Sequence, residues 1–235
     1  RFEMWLQEKG SEADEIKAAA GIRGHVVHQL ITKLLSGKDI SFDERVTDPD
    51  TGEEREITLE EYIPTKAFID WFVTVQPDIV ASEHVVFNRE IGYAGTTDLI
   101  CELKQTVKYN RTIMPAGRYL LDFKTSKTLY QNYRYQPVAY KHCFPDGYID
   151  HLAILQIGIP RTENGVERTD GFRLTVIEDD WEGFLHLKGI WDRVVADKAP
   201  LAIDLPTKLS IGMRPLIAKK RPGAAKEQPP TPKKA

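Results

Sequence analysis

Cysteine is scarce in this chain: Cys101 and Cys143 are the only two among 235 residues, and they form no C-x-x-C pair. Two thiols cannot supply a four-cysteine zinc site or iron–sulfur cluster, and they make no disulfide framework. No apolar run approaches the ~20 residues that cross a bilayer, and no export signal is visible. The expectation is a cytoplasmic chain with reduced thiols and no membrane partner. Arg1 stands where an initiating Met would, which reads as a trimmed or partial chain. There is no G-x-x-x-x-G-K-[S/T], hence no ATP-driven motor, and neither G-x-S-x-G nor H-E-x-x-H occurs. No internal repeat is apparent.

An excess of positive charge is missing too. Lys and Arg number 32 against 35 Asp and Glu, a net of −3, so no basic coat for nucleic acid is expected. The charge is unevenly spread. Residues 206–235 hold eight Lys/Arg against the single Glu227, a net of +7, which leaves −10 on the remainder. That basic segment reads as a largely disordered tail adding sequence-independent attraction to phosphates. The hydrophobic fraction of 41% and charged fraction of 29% are ordinary for a globular chain, and 235 residues suffice for one domain, expected over 1–205.

The pattern of elements is α/β. Apolar spacing predicts a helix over 12–36, softened by Gly21 and Gly24, which could mark a break. Residues 38–58 are acidic, with a D-P-D-T-G-E turn, and read as an exposed insertion or hairpin. A second helix follows over 59–75, with Tyr62, Phe68, Ile69 and Phe72 as its apolar stripe. Strands are expected at 79–91, 95–103 and 117–124, with 104–116 as a loop or strand extension. A helix is expected around 130–143, and strands at about 150–159 and 171–177 on either side of a polar loop, R-T-E-N-G-V-E-R. A last helix over about 180–197 would pack Trp181, Phe184, Leu187, Ile190 and Trp191 on the sheet.

The chemistry concentrates in two strands. One carries G-T-T-D at 95–98 and the next ends in D-F-K at 122–124. Side chains at i and i+2 share a face, so Asp122 and Lys124 point together while Phe123 enters the opposite layer. If the strands are neighbours, Asp98 reaches the same place. Two carboxylates and a backbone carbonyl, that of Phe123, make a hard oxygen site suited to Mg²⁺ or Mn²⁺. The plainer alternative is an Asp122–Lys124 salt bridge at a sheet edge. Tyr130, Tyr133, Arg134 and Tyr135 form an aromatic and basic patch that either stacks on bases or packs the helix base.

Four pieces in order carry a resemblance over residues 20–195: R-G-H-V-V-H at 23–28, Glu83 before G-T-T-D, D-F-K-T-S-K at 122–127, and Q-P-V-A-Y at 136–140. The chain resembles the PD-(D/E)XK nuclease superfamily, in the RecB-like branch with its CRISPR-associated and phage-encoded exonucleases. The resemblance implies a restriction-endonuclease-like core, a central mixed β-sheet flanked by helices. It implies Asp98, Asp122 and His28 as metal ligands and Lys124 as the catalytic lysine. Glu83 is implied as a further ligand or as the residue that orients Lys124, with an ordinary exposed strand charge as the alternative. Gln136 and Tyr140, four apart on a helix, would position the lysine and the strand, although Pro137 between them disturbs an interior helical turn. Many CRISPR-associated members hold an iron–sulfur cluster. With two cysteines none is expected here. The implied activity is a Mg²⁺- or Mn²⁺-dependent deoxyribonuclease, an exonuclease on duplex ends or single strands in recombination, repair or phage DNA metabolism. A structure-specific endonuclease or a non-catalytic binding subunit are the alternatives. DNA is the implied partner, in a bacterial or phage-infected cytoplasm. A helicase, recombinase or single-strand-binding protein is a candidate further partner, and a homo-oligomer a candidate state.

Overall fold

The computed structural model describes residues 12–109 and 112–195. They form helix α1 (Glu12–Leu35), the hairpin β1 (Arg45–Thr47) and β2 (Glu54–Glu56), and helix α2 (Leu59–Val75). Strands β3 (Asp78–Asn88) and β4 (Tyr93–Leu103) follow, then the small hairpin β5 (Val107–Tyr109) and β6 (Thr112–Met114), and strand β7 (Gly117–Lys124). A 3₁₀ turn (Gln131–Arg134) leads into α3 (Tyr135–Lys141), followed by β8 (His151–Glu163), β9 (Val166–Ile177) and α4 (Trp181–Val195). The basic tail expected over 206–235 lies outside the described residues.

The central sheet has five strands in the order β3-β4-β7-β8-β9. It is mixed: β7 and β8 run parallel, joined through α3, and the other neighbours are antiparallel. Helices cover both faces. On one, Val27 and Ile31 of α1 and Ala67, Phe68 and Trp71 of α2 meet Leu99, Tyr119, Leu121, Phe123 and Leu155. On the other, Val138 of α3 and Trp181 and Phe184 of α4 meet Ile100, Leu120 and Leu152. The β1–β2 hairpin packs Val46 and Ile57 on Val26 and Leu30 of α1. Arg55 holds that hairpin to α2 through Glu61, the capping-box residue at its first turn (2.6 Å), and braces the hairpin's own turn through Asp48 (2.9 Å).

Several expectations need correction. α1 runs unbroken through Gly21 and Gly24. A Cβ at Gly24 would sit 3.6 Å from Thr125 Oγ1, so the glycine marks where α1 passes close to the end of β7. Residues 15–21 of it are exposed, Ile16, Ala19 and Ala20 included. In α2 the buried aromatics are Phe68 and Trp71, while Ile69 is exposed. The polar loop of 161–168 is instead a continuation of β8 and β9, turned at Asn164 and Gly165 (φ +50° and +76°). Those strand ends are stabilised by Arg161 pairing with Asp170 and Arg168 with Glu163 across the hairpin, which hydrophobic alternation does not reveal. In α4 only the first turn packs on the sheet, and Leu187, Ile190 and Trp191 are exposed. Among the described residues no helix is long and apolar enough to cross a membrane.

Candidate metal centre

The site begins where two strands part. β4 pairs with β3 along its length, but with β7 only from Leu99↔Leu121 to Leu103↔Gly117. Beyond Leu121, residues 122–124 of β7 pair with β8. Asp98 stands at the crotch of this fork. Its Oδ2 accepts a hydrogen bond from the Phe123 backbone N–H (2.6 Å), standing in for the carbonyl the ladder no longer offers. The N–H and C=O of one extended residue point toward the same neighbouring strand. The Phe123 carbonyl therefore faces the fork.

His28 comes to the fork from α1. Its Nδ1 lies 3.2 Å from Asp98 Oδ1, and its ring stands edge-on to Phe123. Thr32, one turn on, donates to the His28 carbonyl (2.9 Å) and lies 3.4 Å from Glu83 Oε1. Glu83 enters from β3 in a left-handed conformation (φ +49°), rare for a residue with a Cβ, between the pairs Ser82↔Leu99 and His84↔Thr97. Such strain costs about 1–3 kcal/mol and persists where the surroundings impose it. One ligand atom each from His28, Glu83 and Asp98 lies within 4.8 Å of the others.

Asp122 stays outside that trio, on the other arm of the fork. It is 2% exposed, and its Oδ2 lies 2.8 Å from Lys124 Nζ. This buried oxygen meets the ammonium as an ion pair rather than in good hydrogen-bond geometry. Lys124 Nζ also donates to Gln136 Oε1 (3.2 Å), and Gln136 Nε2 donates to Tyr140 Oη (3.2 Å). Pro137 does not disturb this chain. It is the third residue of α3, in the first turn, where a backbone N–H has no helical partner to lose. Tyr133 places its ring 5.2 Å from Lys124 Nζ, so this member of the tyrosine cluster packs on the lysine.

The electrostatics follow from burial and crowding. Burial pushes the Asp122 carboxyl up to about 6, with Lys124 opposing and the Asp98 charge adding. The Glu83 carboxyl is raised by desolvation and by Asp98. Burial would lower the His28 pKa, but its hydrogen bond to Asp98 and the Asp98 charge prevail and raise it. Three anionic groups therefore crowd around one imidazole and one ammonium. A divalent cation would relieve that crowding.

The donor set fits such an ion. An oxygen each from Glu83 and Asp98, the imidazole of His28, the fork-facing Phe123 carbonyl and the Asp122 carboxylate on the other arm suit Mn²⁺ or Mg²⁺, the nitrogen favouring Mn²⁺.

Two residues belong here without having been singled out in the sequence. Thr32 follows His28 by four on the same helical face. Gln156, fully buried opposite Lys124 in β8, donates to the Ser126 carbonyl (2.9 Å) and fixes the turn after the lysine. Its signal is a polar residue inside the apolar run L-A-I-L-Q-I. His25, also on α1, hydrogen-bonds Gln29 (3.0 Å).

No model of a known protein family matches this chain, and no curated protein does.

Proposed function

We propose that this chain is a metal-dependent deoxyribonuclease with a restriction-endonuclease-like core, of the RecB-like branch of the PD-(D/E)XK superfamily. Its expected action is exonucleolytic, on DNA ends or single strands. The fork between β4 and β7 carries the proposal, because one arm gathers His28, Glu83 and Asp98 within 4.8 Å of one another and the other arm carries the Asp122–Lys124 pair, the five residues coming from four separate elements. A salt-bridged sheet edge would account for Asp122 and Lys124 alone. It leaves His28 and the strained Glu83 without explanation.

His28, Glu83 and Asp98, with the Phe123 carbonyl and Asp122 beside them, would hold Mn²⁺ or Mg²⁺. When bound, such an ion polarises a phosphoryl oxygen and lowers the pKa of a coordinated water. The chain's own groups do the rest. Lys124, with Gln136 and Asp122 restricting its ammonium, is placed to hold the attacking water and to offset charge on the phosphate oxygens. Tyr140 fixes Gln136. Asp98 keeps the two arms of the fork in register through Phe123.

The test is degradation of 5′- and 3′-labelled single- and double-stranded DNA with Mn²⁺, Mg²⁺ or EDTA, beside Lys124→Ala. The expected result is metal-dependent loss of label from one end, abolished by EDTA and reduced ~10²–10³-fold in the variant. Cleavage that persists in EDTA, or equal rates for Lys124→Ala and the unmodified chain, would overturn the assignment.

A further inference from the structure

A groove of about 580 Å³ lies between the start of β4, α3 and α4, and it opens directly from the lysine relay. Gln136 and Tyr140, the two residues behind Lys124, form part of its wall. Four more aromatic rings line it, Tyr93, Tyr135, Phe184 and Trp191. The three tyrosines of the wall are already tethered. Tyr93 Oη donates to the Ala139 carbonyl (2.8 Å), Tyr135 Oη to Asp180 (3.2 Å), and Tyr140 Oη accepts from Gln136. Their hydroxyls are engaged and their positions fixed, so a flat ligand loses little side-chain entropy in stacking on them. Trp191 is the exception, 62% exposed on a face of α4 that packs against none of the described core clusters. Lys188 stands at the rim with its side chain half-buried, and among the described residues its ammonium pairs with Asp192 one turn on (2.7 Å), an i,i+4 helix contact of the kind that contributes little.

We infer that this groove binds an unpaired base of the substrate strand beside the metal centre, with Trp191 as the stacking surface and Lys188 facing the backbone. The inference rests on the nuclease assignment and narrows it to substrates with a single-stranded segment. Continuity favours a nucleobase over a protein partner. Tyr140 lies against Gly95 so closely that an added Cβ would be 2.3 Å from its ring, and Gly95 is three residues from Asp98 on the same strand. The groove therefore lies ~10–15 Å along β4 from the fork, within reach of one DNA strand. Stacking on aromatic rings tolerates any base. Paired bases cannot enter.

The experiment uses the full chain, Trp191→Phe and Trp191→Ala, with a fluorescein-labelled oligothymidylate and a duplex of equal length in calcium buffer. Affinity is read by anisotropy and the tryptophan by its emission. Trp71 is fully buried and Trp181 is stacked on His142, so a quench on adding oligothymidylate that Trp191→Phe removes reports this groove. The expected result is about tenfold weaker oligothymidylate binding in Trp191→Ala, a smaller loss in Trp191→Phe, and unchanged duplex affinity. Equal oligothymidylate affinities for Trp191→Ala and the unmodified chain would overturn the inference, as would the unmodified chain not binding it. So would a concentration-dependent dimer that Trp191→Ala dissolves with DNA affinity intact, since that assigns the face to a second copy. Manganese-dependent cleavage is scored separately. Cleavage indifferent to Trp191 removes the groove and keeps the nuclease, whereas oligothymidylate binding through Trp191 without cleavage keeps the groove and removes the nuclease.

Discussion

Lys124 is the residue on which the chemistry turns, and its neighbours explain why it can work. A half-buried lysine beside one carboxylate would collapse into a plain ion pair. Here Gln136 Oε1 supplies a second acceptor 3.2 Å away, so the ammonium is shared between the fork and α3. Hydrogen bonds to charged groups contribute about 1.5–3 kcal/mol. Gln136→Leu is therefore expected to lower kcat at least tenfold while leaving KM nearly unchanged, with partial rescue by Gln136→Glu. Steady-state cleavage of end-labelled DNA measures both. A change confined to KM would show that Gln136 binds DNA without holding the lysine.

At the scale of elements, the site depends on close passages that glycine permits. Gly95 is one: the Tyr140 ring of α3 occupies the space of a Cβ on β4. Gly158 is a second case, where Pro64 inside α2 rests on a bulge of β8 and an added Cβ would come within 2.6 Å of its ring. Gly95→Ala must displace α3, and with it Gln136. The expected loss is about 1–3 kcal/mol of stability, together with reduced cleavage. Gly21 gives the contrast. Nothing lies within 4 Å of its would-be Cβ, and it sits inside α1, so Gly21→Ala should gain ~0.5–1 kcal/mol and leave cleavage untouched. Thermal melts of the two variants against the unmodified chain decide between these signs.

Across the whole fold, charge sets how the protein meets acid. Asp170 ties the β8–β9 hairpin to α2, with Arg161 at 2.7 Å, Arg168 at 3.1 Å and Lys66 at 3.7 Å. The hydrogen bond from Arg161 does most to hold its carboxyl well below the ordinary 3.8, burial opposing and Arg168 assisting. A depressed pKa means the unfolded chain takes up the proton first. The contribution is complete above pH ~4 and is lost as the pH falls below it. Asp170→Asn should therefore melt lower at pH 7, by about 1–2 kcal/mol, and the gap should narrow steadily as the pH falls below 4. A gap that stays constant on acidification would show that the carboxylate charge contributes nothing. Below pH 4 the fold would then depend on its packed faces, with Trp71 and Phe68 at the centre of the larger one.

The sequence by itself determined the elements that repeat a pattern. The helices at 12–35 and 59–75 follow apolar spacing, the strands at 93–103 and 117–124 follow β-branched and apolar runs, and Asp122 and Lys124 share a face through strand alternation. It also supplied the pairing of Gln136 with Tyr140, which needs only four residues of helix. Tertiary structure alone decided the rest. The β8–β9 strand ends hide in a polar stretch because cross-strand ion pairs, not burial, hold them. The last turns of α4 are apolar yet unburied, since periodicity marks a face without saying whether a sheet lies under it. Above all, the fork that joins His28, Glu83 and Asp98 depends on where two strands stop pairing. That is set by which long-range contacts survive together, and no local spacing encodes it.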